Sequence, residues 1–367
     1  MRHTIAQISS KSLAHNIERI KSFSGQSQVI AIIKANAYGH GMVEVATELN
    51  KLGINYFGVA FADEGVILRQ NGFTQNIIVL VPETNGNAKL CVEMDLTPVI
   101  YSYEFAETLS REALASGKTA KGHLFIDTGM NREGLRPHMA LGFMQKAVTL
   151  PNLKIEGICT HFATSTSNMN FAEDQLTLFN KTLDELKSHG FEFQYKHAAN
   201  SGAIINLPGS RFNLVRPGMT LYGYPPSEDM GDKLSLKPVM TLKTKVVSVR
   251  RIYKGDTVGY GLEYISDQER NIATIPIGYG DGYFRNLTHK AQCLINGKRY
   301  DFVGTICMDV SMIDVGDDYI NIGDEVVLIG TQKDEFISAY ELANLIGTIP
   351  YEITSAISAR VPRIVID

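Results

Sequence analysis

The stretch Val29-Ile30-Ala31-Ile32-Ile33-Lys34-Ala35-Asn36-Ala37-Tyr38-Gly39-His40-Gly41 decides how this chain is read. An unbroken apolar run ends in a lysine, and small, polar and turn-forming residues follow it. Such a run reads as a strand buried on both faces, the pattern of a parallel sheet. An ammonium at the end of a buried strand is costly unless it is paired, chemically used or snorkelled to water. What surrounds Lys34 must decide between these.

Working outward, short apolar segments alternate with longer amphipathic ones as far as about residue 220. Strands are expected at 29–34, 56–60, 76–80, 97–101, 122–127, 155–161, 195–199 and 214–216. Helical patterns fall between them at 12–21, 42–52, 63–70, 104–115, 137–147 and 171–188, with a weak one near 87–93. Eight strands with crossover helices predict an α/β fold, a (β/α)8 TIM-type barrel. An open doubly wound sheet is the competitor, but no G-x-G-x-x-G turn follows any strand. Chemistry in such a barrel sits where strands end and βα loops begin. Lys34, Asp127-Thr128-Gly129-Met130-Asn131-Arg132, His161, Asn200-Ser201-Gly202 and Arg216-Pro217-Gly218 all fall at strand ends, on one face of one ring.

After the Pro/Gly/Asp-rich stretch 225–233 the texture changes to alternating β-branched runs at 240–249, 271–277, 291–295, 310–315 and 325–329. Asn296-Gly297 is a hairpin signal. The expected organisation is a barrel over 10–230 and a mainly antiparallel β domain over 231–367, with an N-terminal strand in 1–9 joining the latter.

Of the 367 residues, 44% are hydrophobic and 20% charged, and the net charge is −4 with no long run of one sign. Neither nucleic acid nor a membrane surface is implied as a partner. No segment reaches the roughly 18 apolar residues of a spanning helix, and the start of the chain has no apolar signal core. Cys91, Cys159, Cys293 and Cys307 lie far apart without CxxC spacing. They read as small core residues of a cytoplasmic protein, with no metal site.

The sequence 33–41 resembles the pyridoxal-phosphate lysine motif of bacterial alanine racemases. The resemblance extends in order through Asp127-Thr128-Gly129-Met130-Asn131-Arg132-Glu133-Gly134, Thr160-His161-Phe162-Ala163, Ala199-Asn200-Ser201, Val215-Arg216-Pro217-Gly218, Gly259-Tyr260-Gly261, Cys307-Met308-Asp309 and Tyr351-Glu352. It thus covers nearly the whole chain. It implies a pyridoxal 5'-phosphate enzyme that interconverts L- and D-alanine and supplies D-alanine for peptidoglycan. The cofactor is then expected on Lys34, which suits the chemistry, because only a neutral amine is a nucleophile. Tyr38, Ser201, Tyr351 and the N–H groups of Gly218 and Met219 are the implied phosphate donors, with Asn200 and His161 close to the cofactor. Arg216 is implied at the pyridine nitrogen. A guanidinium there can only donate, so it leaves that nitrogen unprotonated and disfavours transamination.

Racemisation needs an acid/base group on each face of Cα. Lys34 is the implied base on one face and Tyr260 on the other, the tyrosine arriving from the partner in a homodimer. Phenols ionise near pH 10, so a tyrosine in that role needs cationic neighbours. Arg132, Met308 and Asp309 are the implied substrate contacts, the last two again from the second chain.

Three positions depart from the family pattern. Many members carry a modified lysine two residues before the Asp-Thr-Gly, where it steadies the active-site arginine; here that position is Phe125. Arg132 is therefore expected to be steadied by a bound anion such as chloride or by another side chain. Thr166 and Thr305 stand where an acidic residue and an arginine are common in the entryway. A small pocket rejects an added methylene by only roughly 10–200-fold, so serine or broad-specificity racemisation is the alternative. A same-fold amino-acid decarboxylase is disfavoured by Arg216 and by the lack of a Gly-Gly-Gly phosphate loop. A non-catalytic cofactor carrier is disfavoured by the second domain with Tyr260.

Overall fold

The computed structural model describes residues 3–81 and 83–367. Met1 and Arg2 of the expected N-terminal strand segment, and Pro82, lie outside the described residues. The chain divides into two compact units. One comprises Leu13–Ala35 and Ala46–Lys237, the other Met1–Ser12, Asn36–Val45 and Pro238–Asp367.

The first strand, β1 (Ile5–Ser9), belongs to the second of these units. The first unit is a closed parallel barrel of β2 (Gln28–Ile32), β3 (Tyr56–Val59), β4 (Asn76–Val79), β5 (Leu96–Ile100), β6 (Ala120–Phe125), β7 (Leu153–Cys159), β8 (Tyr195–Asn200) and β9 (Leu214–Arg216). The ring closes where β2 meets β9, with Gln28 opposite Leu214 and Val29 opposite Val215. All eight expected strands are present, because each is an apolar run short enough to cross a barrel wall and is bounded by polar turns. The weak segment near 87–93 forms a helix, Ala88–Glu93.

The crossover helices form for local reasons. Asn168 accepts a hydrogen bond from the Phe171 N–H (3.2 Å) and starts the helix Met169–Ser188. That helix buries Phe179, which meets Phe212 edge-on with ring centroids 5.5 Å apart. Full burial of such a side chain contributes about 1.5–3 kcal/mol.

One expectation needs correcting at the stretch that opened the reading. β2 stops at Ile32, so Lys34 does not close the strand. After Ile33 donates its N–H to the Gly58 carbonyl (2.9 Å), the chain enters a helical turn, Lys34–Tyr38. Ala35, Asn36, Ala37 and Tyr38 in that turn have φ of 50–55°. The turn is left-handed, a conformation that costs L-residues roughly 1–2 kcal/mol each. Local bonds hold it there. The Glu64 carboxylate accepts from the Ala35 N–H (2.6 Å) and, with its other oxygen, from the Ala60 N–H at the end of β3 (2.6 Å). Asn36 accepts from the Met42 N–H (2.8 Å). His40 Nδ1 lies 3.0 Å from the carbonyls of Ala37 and Tyr38. Burial pushes the His40 imidazole down to about 4, so near neutrality it is uncharged with its proton on Nδ1.

The second unit is a mainly antiparallel sheet ordered β11-β12-β15-β14-β13-β16-β10-β1-β18, with β17 on β16. Its later strands are β10 (Met240–Lys245), β11 (Ser248–Ile252), β12 (Arg270–Ile275), β13 (Gln292–Ile295), β14 (Lys298–Val303), β15 (Ser311–Gly316), β16 (Glu325–Gln332), β17 (Glu335–Ile337) and β18 (Arg363–Ile366). The single run expected at 240–249 is two strands. Val246 bonds to Asp324 while Val247 bonds to Thr274, so β10 pairs with β16 and β11 with β12. Asn296-Gly297 forms the β13–β14 hairpin. β1 pairs antiparallel with β10 and parallel with β18. Ile252, Val258, Ile272 and Val303 form an apolar cluster under this sheet, with Tyr264 and Met312 packed against it.

Candidate active site

Within the barrel unit the polar groups converge on Arg216, at the end of β9. It is 5% exposed and surrounded by acceptors. Nη1 donates to the His197 carbonyl (2.8 Å) and to His197 Nδ1 (2.6 Å). Nη2 donates to the carbonyls of Thr160 (2.6 Å) and Ala198 (3.0 Å) and lies 3.2 Å from His161 Nδ1. The Nε–H has no hydrogen-bond partner among the described residues, so one donor of a buried guanidinium is left for something else.

A guanidinium can only donate, and this sets the protonation of both histidines. His197 Nδ1 must accept, so its proton sits on Nε2 and points to His123 Nδ1, 2.7 Å away. His161 likewise accepts through Nδ1. Burial, then the charge of Arg216, pushes His197 and His161 well below the ordinary histidine range and His123 down to about 3. All three are neutral at physiological pH. Gly157 in β7 makes room for this chain: a Cβ there would lie 2.4 Å from the His123 ring.

Lys34 stands in the same electrostatic neighbourhood. Burial lowers its pKa, as does Arg132, while Glu64 and Glu133 oppose the shift. The net direction favours the neutral, nucleophilic amine.

Ser201 opens the helix Ser201–Asn206 after β8. Its Oγ accepts from the Gly218 N–H (2.9 Å) and lies 3.0 Å from Thr220 Oγ1. With Thr220 donating, the Ser201 proton is free for a ligand. Met219 starts the short 3-10 turn Met219–Tyr222 that follows. Asn200 is committed elsewhere: its side-chain oxygen caps the helix at the Ala203 N–H (3.1 Å) and accepts from Ser165 (2.7 Å). These bonds fix where Ser201 begins.

The loop after β6 is tied to itself through Asp127. Asp127 Oδ1 accepts from the N–H groups of Gly129 and Asn131 (3.0 Å each), and Oδ2 lies 3.2 Å from Arg136. Arg132, held on this loop, donates to one Glu133 oxygen through Nε (2.9 Å) and Nη2 (2.6 Å). Gln175, buried in the helix Met169–Ser188, ties this loop to the next one. It bonds to Thr128 (3.2 Å), the His161 carbonyl (3.1 Å) and the Ala163 N–H (3.0 Å).

In the other unit, Tyr38 meets Tyr351 edge-on at 5.9 Å between ring centroids. Tyr351 is half-buried, and burial raises its phenol pKa. Tyr260 lies in the turn Tyr260–Leu262 and is 74% exposed. Thr305, buried beneath it, reaches the Tyr260 carbonyl at 3.2 Å. Met308 is exposed, its carbonyl accepting from the Gly280 N–H (2.9 Å). Asp309 is gripped by Arg360 (2.5 Å).

The sequence reading did not single out Glu64, His123, His197 or Gln175, and it left Glu133 without a role. Gln175 left a visible signal, a long polar side chain on the buried helix face with Ala172, Phe179, Thr182 and Leu186. His123 and His197 left a weaker one, as histidines inside apolar strands.

A closed parallel barrel carrying a lysine of lowered pKa, an arginine with one open donor and a serine hydroxyl with a free proton defines an amine-reactive barrel enzyme. The chain belongs to the alanine racemase family. The family model for the alanine racemase N-terminal domain matches residues 8–226 and that for the C-terminal domain residues 239–365. It is 41% identical over 367 residues to an alanine racemase of Carboxydothermus hydrogenoformans, covering 99% of this chain and 100% of that one. Among solved structures it resembles an alanine racemase of Clostridium difficile at TM-score 0.95 and 36% identity, covering 100% of this chain and 96% of the other. A histidine racemase from Leuconostoc mesenteroides is also similar, at TM-score 0.91 and 30% identity, with 100% and 98% covered. The family depends on pyridoxal phosphate. The residues here fit that group: a neutral donor for a phosphate at the Ser201 hydroxyl, whose oxygen is held by the Gly218 N–H, an open guanidinium N–H at Arg216, and an amine of lowered pKa at Lys34.

Proposed function

We propose that this protein is a cytoplasmic pyridoxal-phosphate alanine racemase working as a homodimer, whose D-alanine serves peptidoglycan synthesis. The observation that carries the reading is the pairing of a depressed Lys34 amine with a buried Arg216 whose Nε–H is open. When bound, pyridoxal phosphate supplies an electron-withdrawing ring that acidifies the Cα–H of an attached amino acid.

The chain supplies the rest. Lys34 would hold the cofactor through its amine, and that amine takes and returns a proton at the substrate Cα on one face. The Tyr260 phenol of a second copy does the same on the opposite face, and its exposure suits a group that works in another chain's site. Arg216 would offer its open Nε–H to the cofactor's ring nitrogen, and His161 would pack beside the cofactor. By the family resemblance, Ser201, Tyr38, Tyr351 and the Met219 N–H would hold the phosphate, while the Gly218 N–H bonds Ser201 Oγ (2.9 Å) and Asn200 fixes Ser201. Arg132 binds the substrate carboxylate and would also meet the cofactor's ring hydroxyl, helped by the Met308 N–H and Asp309 of the second copy. Its positive charge needs a counter-charge, either a chloride ion or a side chain.

Thr166 and Thr305 remove charge from the entryway, and a relative of nearly the same fold is a histidine racemase, so substrate choice is the point to test. Racemisation rates of L-alanine are compared with those of L-serine, L-lysine, L-arginine and L-histidine. The expected order puts alanine first in kcat/KM. A higher value for any of the others overturns alanine as the substrate.

A further inference from the structure

We propose that Glu133 is the built-in counter-anion of Arg132, a positioning residue that holds the guanidinium in its working orientation and makes an inorganic anion at that place unnecessary. The inference rests on the racemase reading, in which Arg132 binds the substrate carboxylate.

The pair is asymmetric. Glu133 is nearly buried, with its side chain 12% exposed, while Arg132 is 52% exposed. The carboxylate is therefore the fixed member and the guanidinium the one that faces outward. Two N–H groups of Arg132, Nε and Nη2, converge on a single oxygen, Oε1. That grip blocks rotation about the end of the arginine and leaves Nη1 free to meet a second anion such as a substrate carboxylate. Glu133 Oε2 makes no hydrogen bond among the described residues, so nothing competes with Arg132 for the carboxylate.

The backbone explains why Glu133 points where it does. Asp127 and Leu135 clamp the two ends of the loop, with Asp127 N–H to the Leu135 carbonyl at 2.9 Å and Leu135 N–H to the Phe125 carbonyl at 2.8 Å. Gly134 between them has φ of +110°, and a Cβ on it would lie 2.6 Å from the Phe125 ring. Phe125 can therefore pack only against a glycine, and the turn at Gly134 directs the preceding carboxylate inward. The recess lined by Phe125, Asp127, Met130, Arg132, Glu133 and His161 has no space for a water-sized sphere. A chloride is larger than water, so the aromatic ring and the carboxylate already occupy the space an ion needs. Electrostatics agree: Glu133 offsets the effect of Arg132 on the Lys34 amine.

The test compares the holoenzyme with Glu133→Ala and Glu133→Gln, each assayed with L-alanine in chloride-free gluconate buffer and again with added sodium chloride or formate. The wild type is expected to give the same kcat and KM in both. In gluconate, Glu133→Ala raises the alanine KM by about tenfold or more, the loss of one charged contact, with a smaller change in kcat. Chloride or formate entering the vacated space restores much of it. Glu133→Gln keeps the shape, loses the charge and falls between the two. A purely structural role does not produce rescue by small anions. If Glu133→Ala does not fold, the glutamine variant and the chloride response of the wild type still decide. A wild type whose activity requires chloride overturns the proposal, as does an unchanged KM in both variants without the ion. A wild type that racemises no alanine in any buffer sinks the racemase reading instead.

Discussion

Arg216 does more at the residue scale than offer an open Nε–H to the proposed cofactor. Its five hydrogen-bond acceptors are three carbonyls and two imidazole nitrogens, at 2.6–3.2 Å. Through them it fixes the tautomers of His197 and His161 and, one step further, that of His123. Lysine at this place carries only three donors on a single atom and cannot span that set. Arg216→Lys leaves buried carbonyls unpaired at about 1–3 kcal/mol each. Its melting temperature is expected to fall by at least about 4 °C in calorimetry, with kcat reduced as well. An unchanged melting temperature contradicts the network. Lys34, Arg216 and Ser201 stand out in the sequence because each polar residue lies at or just past an apolar run. Glu64 and Glu133 do not, since a carboxylate's partner depends on the path of the backbone around it.

At the scale of the element, the left-handed turn Lys34–Tyr38 runs from the proposed cofactor lysine to a proposed phosphate contact at Tyr38. Strain of this kind persists only where neighbours over-determine it, here through Glu64, Asn36 and His40. Ala35 is exposed and has φ of 50°, which glycine adopts without penalty. Ala35→Gly is therefore expected to keep or raise stability, by up to about 1 kcal/mol. The same change in a right-handed helix loses about that much. Denaturant titration measures the sign, and a clear loss contradicts a left-handed turn. Nothing in Lys-Ala-Asn-Ala-Tyr announces this conformation, because the usual glycine marker is missing. The barrel strands were legible to within about two residues at each end, each being an apolar run between polar turns. β14 was not, since Lys298, Arg299 and Asp301 interrupt its alternation and only its pairing with β13 and β15 makes it a strand.

At the scale of the whole molecule, several histidines are buried in neutral form. His40 at about 4 and His123 at about 3 lie below the ordinary 6.5, and His197 is displaced the same way. The unfolded chain binds protons that the folded one refuses, so stability rises with pH through this range. Their contribution is complete above about pH 6.5 and is lost as pH falls toward 4, each costing about 1.4 kcal/mol per pH unit once the unfolded histidine is charged. The melting temperature is expected to drop steadily from pH 6.5 to 4.5, and a flat profile contradicts the neutral network. The division into a parallel barrel and a β unit was legible from the change of period near residue 230. Which strands of the β unit pair was not, because β1 and β18 meet there from opposite ends of the chain. The central claim is proton exchange at Cα of alanine with Lys34 carrying the cofactor. The most direct measurement is incubation of the holoenzyme with L-alanine in deuterated buffer, followed by chiral analysis and proton NMR. The account predicts D-alanine bearing deuterium at Cα, formed by the wild type and abolished in Lys34→Ala. Release of carbon dioxide, or undiminished exchange in the Lys34 variant, contradicts it.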